Sequence, residues 1–167
     1  MHIETERKFL VKDDTFKAEA TSAHRMRQGY IAHENGRTVR VRIAGDTAWL
    51  TIKGPSANGI SRQEWEREIP LPDAEDLFSL CQSGSIDKTR YIVPVKSDAS
   101  NPAGSHEGRF FEVDEFHGDN EGLVVAEIEL GSEDEAFPRP AWLGSEVTGD
   151  RRYYNSHLCL HPFKDWK

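Results

Sequence analysis

No stretch of this 167-residue chain approaches the roughly 20 consecutive apolar residues of a membrane-spanning helix, so no membrane partner is expected. Cysteine is scarce. Cys81 and Cys159 stand far apart and form no CxxC, a pattern that fits reduced thiols in a cytoplasmic protein. Positive charge is in deficit, with 29 acidic residues against 21 basic ones and a net charge of −8. Nucleic acid needs a net basic surface and is therefore not expected as a partner. The seven histidines form no HxH, HxxH or HExxH spacing, so zinc is not indicated. There is no GxxxxGK[ST] phosphate loop and no Ser or Cys in a nucleophile elbow. The chain runs from Met1 straight into a charged segment and reads as having no signal peptide.

What the chain does have is charge placed with period two. Charged residues make up 30% of it and hydrophobic residues only 37%. In a strand, residues i, i+2 and i+4 point the same way. In His2-Ile3-Glu4-Thr5-Glu6-Arg7-Lys8-Phe9, Glu4, Glu6 and Lys8 therefore share one face while Ile3 and Phe9 share the other. Arg40 and Arg42, Lys53, Glu64 and Glu66, Lys88 and Arg90, Glu112 and Asp114, and Glu127 and Glu129 repeat the pattern.

The alternation and its breakers predict strands over 2–11, 25–33, 38–44, 47–54, 60–69, 86–95, 108–116 and 123–131. Gly45 supplies a positive φ for a tight hairpin turn. A short helix is expected over 73–82, with Leu77, Phe78 and Leu80 as its apolar side, and a last helix over 151–159, capped by Asp150. Residues 97–107, rich in Ser, Asn, Gly and Pro, read as an exposed loop inside one domain covering 1–167. Short connections favour an antiparallel, mainly β fold with a few helices. Periodicity leaves two arrangements open: an open sheet with its charged face in water, or an eight-stranded barrel that encloses those charges.

Four i,i+2 carboxylate pairs, Glu4/Glu6, Glu64/Glu66, Glu112/Asp114 and Glu127/Glu129, each bring two acids about 7 Å apart along a strand. Such crowding is costly without cations, and hard divalent ions take oxygen ligands of this kind. Lys8, Arg40, Arg42, Lys53, Arg62, Lys88 and Arg90 fall at the same parity. They suit phosphate oxygens, or cross-strand pairing with the acids, which would keep an empty cavity neutral. Trp49, Trp65, Tyr91 and Phe111 fall at the apolar parity and are expected in packing.

Glu4-x-Glu6-x-Lys8 resembles the ExExK signature of the CYTH superfamily, the triphosphate tunnel metalloenzymes, in its short bacterial form. Arg40-Val41-Arg42, Lys53, Glu64-x-Glu66, Lys88-x-Arg90, Asp114 and Glu127-x-Glu129 follow in the expected order. Arg27-Gln28-Gly29-Tyr30 and Glu146-Val147-Thr148-Gly149-Asp150 are similar as well. The resemblance implies a closed eight-stranded antiparallel β-barrel, a tunnel holding a linear triphosphate with Mg²⁺ or Mn²⁺. It implies phosphate contacts from Lys8, Arg40, Arg42, Lys53 and Arg90, with Lys88 and Arg62 as further candidates. Metal would fall to Glu4, Glu6, Glu127 and Glu129, with Asp114 contributing. Glu64 and Glu66 would serve a second metal or the attacking water, and Tyr30 would act with Lys8. Members are often homodimers; nothing in the residues fixes that here.

The expected activity is metal-dependent hydrolysis of inorganic tripolyphosphate to pyrophosphate and phosphate. The compact chain leaves little sequence for a base- or thiazole-binding lobe. Alternatives are a class IV-like adenylate cyclase, a thiamine triphosphatase and a non-catalytic polyphosphate binder. A binder would have lost its acid pairs, and none is lost.

Overall fold

A computed structural model describes residues 1–82, 84–96 and 108–166. The loop expected over 97–107 lies outside the described residues. The strands are β1 (His2–Val11), β2 (Ser22–Glu34), β3 (Arg37–Ala44), β4 (Thr47–Lys53), β5 (Ser61–Ile69), β6 (Ile86–Pro94), β7 (Phe110–Phe116), β8 (Val124–Glu129) and β9 (Leu143–Glu146). Three helices accompany them: α1 (Phe16–Glu19), α2 (Leu71–Phe78) and α3 (Asn155–Leu160).

The first eight strands close into an antiparallel barrel in the order β5-β4-β3-β2-β6-β7-β8-β1, with β5 pairing back onto β1. β1 is the seam. Its residues 2–5 pair with β5 and its residues 6–10 with β8. β9, unforeseen in the sequence, pairs with β1 at Phe9 and Val11. It is four residues long and includes Gly144, so no alternation marks it.

Closure decides where the charged faces go. Residues directly opposite on paired strands share a face. One such row runs Tyr30, Arg40, Thr51, Glu66, and another runs Thr38, Lys53, Glu64. These rows face the lumen. Trp49 lies opposite Arg42, whose guanidinium sits 5.0 Å from the Trp49 ring centroid. It therefore belongs to the lumen parity, not to the outer packing expected for it. Counting from Lys53 would have shown this. Trp65 pairs with Ile52 on the outside, and Tyr91 and Phe111 pack in the outer core, as expected.

The apolar core lies around the barrel. Phe9, Phe111, Val113, Ala126 and Ile128 form one cluster with Phe16 of α1 and Trp142. Val41, Ile43 and Ala48 form another beneath Ala74, Leu71, Leu77 and Phe78 of α2. This helix begins two residues before the expected start and ends at Phe78, which leaves Leu80 beyond it and 65% exposed. A third cluster uses lumen-parity residues. Leu10, Ile86, Phe116 and Val125 turn from the charged pattern to an apolar one where Leu158 of α3 packs on them.

The expected last helix is two pieces. Arg151–Tyr153 form a 3-10 turn, and the Asp150 carboxylate accepts from Arg152 N at its start. Tyr154 is extended (φ −72°, ψ 134°), and α3 then begins at Asn155. Gly84 holds α3 close to the barrel. A Cβ there would stand 2.1 Å from the Cys159 carbonyl oxygen, at a φ of +89° that L side chains rarely adopt.

Candidate active site in the barrel lumen

The lumen cations reach the cavity from several strands, each paired with an acid. Lys53 Nζ lies 2.7 Å from Glu4 Oε2 and 3.3 Å from Glu64 Oε2. Lys8 Nζ lies 3.2 Å from Glu127 Oε1, and Arg62 Nε 3.7 Å from Glu4 Oε2. Arg40 and Arg42 approach Glu66 Oε2 at 3.3 and 3.8 Å. Lys88 donates to Asp114 Oδ2 at 2.8 Å, and Arg90 grips both Asp114 oxygens at 2.7 and 2.8 Å while also meeting Glu112. The cross-strand pairing expected of an empty cavity is present.

These pairs leave specific vacancies in hydrogen bonding. The Nε–H groups of Arg40 and Arg42 are buried and have no partner among the described residues. A buried unpaired donor on a cation is costly, and an anion in the lumen would satisfy it. Burial, and then the neighbouring Arg40 and Arg90, pull Arg42 down to about 10. Three guanidinium groups crowd one another here, and an anion would relieve that.

The carboxylates are crowded as well. Burial, then Glu127 and Glu4, push Glu6 well above the usual carboxylate range. Burial also opposes ionisation of Glu127, yet Lys8, Arg90 and Lys88 outweigh it and hold Glu127 well below that range. Glu4 likewise stays low, because Lys53 and Arg62 outweigh its burial. Glu6 is thus the acid of this group that burial and its neighbours Glu127 and Glu4 most oppose ionising. Three buried carboxylates so crowded form an all-oxygen set that fits a hard divalent cation. Among the described residues no three metal-ligating side chains converge at coordinating distance. Lysines occupy the acids instead, so a cation would have to displace them.

The structure divides the expected metal residues. Glu4, Glu6 and Glu127 influence one another directly. Asp114 is fully buried with both oxygens held by Lys88 and Arg90, behind the cations. Glu129 stands opposite Glu6 but is exposed at the rim, bonded to His2 Nε2 at 2.9 Å. The two acids of β5 also differ. Glu66 accepts from Thr51 at 2.6 Å and from Arg40, and is held low against burial by Thr51 and the two arginines. Glu64 has Lys53, and burial raises it. Tyr30 lines the same cavity as Lys8, and burial raises its phenol, which stays protonated near neutrality.

Sequence reasoning missed the C-terminal contribution. Tyr154, Asn155 and Ser156 line the cavity with Lys8, Arg40, Lys53, Lys88 and Arg90. The Tyr154 ring lies beneath Lys8 at 5.1 Å and Arg62 at 6.0 Å. Asn155 Oδ1 accepts from Lys88 Nζ and from Gln28 Nε2, both at 3.0 Å. Tyr154 and Asn155 carry no charge and sit at a break between helical turns, so no period pointed to them. Beyond Tyr154 a vestibule of ≈ 550 Å³ opens, bounded by Glu6, Lys8, His33, Asn58, Arg151 and His157 among others.

Comparison with known proteins matches this geometry. The CYTH domain family model matches residues 2–154. A protein of Acetivibrio thermocellus named inorganic triphosphatase is 46% identical over 165 residues, covering 98% of this chain and 97% of its own. One of the same name from Nitrosomonas europaea is 37% identical over 160 residues, covering 94% and 97%. The solved structure of an inorganic triphosphatase superposes with a TM-score of 0.62 at 34% identity, covering 96% of each chain.

Proposed function

The chain belongs to the CYTH domain family, and from that premise we propose that it hydrolyses linear triphosphates, inorganic tripolyphosphate foremost, with Mg²⁺ or Mn²⁺. The observation that carries this reading is the pair of buried, unpartnered Nε–H groups of Arg40 and Arg42 in a lumen rich in lysine and arginine. They call for an anion with many oxygens. The triphosphatase relatives support the choice of phosphate anhydride.

Phosphoryl transfer needs positioning and charge stabilisation more than covalent help. In the proposed mechanism Arg40, Arg42, Lys53, Lys88 and Arg90 clamp the phosphates and fix an in-line geometry. Arg62 and Lys8 extend that clamp toward the vestibule. Glu4, Glu6 and Glu127 would hold the metal, with Glu129 at the rim. The chemistry a divalent cation supplies when bound is neutralisation of phosphate oxygens and a more acidic water. Glu64, raised by burial and paired among the described residues with Lys53 alone, is the acid suited to accept a proton from the attacking water. Glu66 is committed to Thr51 and the arginines. Tyr30 keeps its proton and serves as a donor near Lys8. Asp114 takes the role of orienting Lys88 and Arg90.

The vestibule beyond Tyr154 favours a second reading, in which an organic group on the terminal phosphate is tolerated, as in ATP or thiamine triphosphate. The setting proposed is cytoplasmic, with a small-molecule triphosphate as partner and no nucleic acid. Among the described residues no helix is long and apolar enough to cross a membrane.

The test is to incubate the protein with Mg²⁺ or Mn²⁺ and tripolyphosphate, ATP or thiamine triphosphate, measuring phosphate, pyrophosphate and cyclic AMP. Phosphate release fastest from tripolyphosphate supports the reading. Cyclic AMP with pyrophosphate overturns it in favour of a cyclase, and binding without turnover in favour of a binder.

A further inference from the structure

We propose that Asn155 is a positioning residue for this reaction, acting through Lys88. The inference rests on the triphosphatase reading above.

The Lys88 ammonium has three N–H donors. One goes to Asp114 Oδ2 at 2.8 Å and one to Asn155 Oδ1 at 3.0 Å. The side chain is 1% exposed, and the Phe116 ring lies 5.8 Å from Nζ on its apolar side. Two fixed acceptors determine where the third N–H points. Lys88 and Asn155 both line the lumen cavity, so that third donor is the one left for a phosphate oxygen.

Asn155 is suited to this by being neutral. Asp114 already supplies the countercharge, shared with Arg90. A second carboxylate would hold the ammonium back from an anion, whereas an amide oxygen orients it without competing for its charge. The same oxygen accepts from Gln28 Nε2 at 3.0 Å, and Gln28 Nε2 donates in turn to Tyr30 Oη at 3.3 Å. One carbonyl thus ties the direction of Lys88 to the placement of Tyr30. Asn155 is held there by the break at Tyr154 and by Leu158, buried one turn further along α3.

The experiment is a double-mutant cycle on tripolyphosphate hydrolysis with Mg²⁺, using Asn155→Ala, Lys88→Met and the double variant, with Asn155→Asp as a near-isosteric companion. Asn155→Ala should lower kcat/KM about tenfold, the scale of one hydrogen bond to a charged group. In the Lys88→Met background the same change should cost at most about threefold, through Gln28 alone, because interacting residues are not additive. Asn155→Asp keeps both hydrogen bonds and should leave the melting temperature near wild type while raising KM. Equal losses in both backgrounds, or a wild-type KM in Asn155→Asp, overturn the inference on an otherwise active enzyme. A wild type that does not turn over tripolyphosphate overturns the functional reading, and this inference with it.

Discussion

Lys53 Nζ donates to both carboxylate oxygens of Glu4, at 3.0 and 2.7 Å, although β4 and β1 are not neighbours and β5 lies between them. The contact passes over β5 on the lumen face and ties a residue suited to phosphate to one suited to metal. In the free protein each satisfies the other. Substrate and cation together would offer each a better partner, so loading the site exchanges ion pairs instead of creating unpaired charge.

Glu4→Gln tests that exchange. The variant keeps a hydrogen-bond acceptor for Lys53 but loses the charge. The Mg²⁺ concentration for half-maximal activity should rise about tenfold, as for a weakened metal site. A metal titration of activity measures it. An unchanged titration would remove Glu4 from the metal set.

Arg40→Ala removes one of the two arginines with an unpartnered buried Nε–H. Loss of a charge-assisted hydrogen bond is worth about 1.5–3 kcal/mol, so kcat/KM for tripolyphosphate should fall roughly 10- to 150-fold. Steady-state kinetics check this. Arg25→Ala is the control. Its guanidinium pairs with Asp87 on the barrel exterior, and activity should be unchanged.

Arg7 and Glu146 join β1 to β9 through Arg7 Nε–H, 2.8 Å from Glu146 Oε2. That hydrogen bond, helped by Thr148 against a small burial cost, holds Glu146 below its ordinary 4.5. A depressed folded pKa contributes stability above the unfolded value and loses it as pH falls through the folded one. The pair's contribution should therefore be complete above pH ~4.5 and decline as pH falls from there through the lowered folded pKa. Glu146→Gln should reduce stability by no more than about 1 kcal/mol at pH 7, given solvent screening, and by less at pH 3. Urea denaturation at the two pH values compares them.

Leu158→Ala empties a fully buried position in the cluster with Ile86, Phe116, Leu123 and Val125. The expected loss is about 2–5 kcal/mol, measured by chemical denaturation. Activity should fall even where the variant remains folded, because α3 carries Asn155 into the lumen.

The barrel's staves were legible in the sequence because period-two charge is a local property of each strand. The eight expected strands differ from those observed by no more than three residues at any end. The α2 end point and β9 were less legible. Leu80 continues an apolar pattern that the helix does not follow, and β9 is defined by its partner β1 rather than by its own residues. Trp49 is a different case. It is expected at the apolar parity, but it stands four residues before Lys53 and shares its face, as its register with Arg42 shows.

The sequence by itself determined which residues are charged, which share a strand face, and, through the ordered ExExK set, the family. It could not decide whether those faces look into water or into a closed space, because alternation is identical in both. The β5–β1 pairing decided that, by turning seven cations and their acids toward one another. Nor could it pair Lys53 with Glu4, or bring uncharged Asn155 against Lys88, since each contact joins elements far apart in the chain. These depend on strand register and on the docking of α3, which long-range packing sets. The acid–acid–base face of β1 is therefore readable from eight residues, while its partners exist only once the barrel closes.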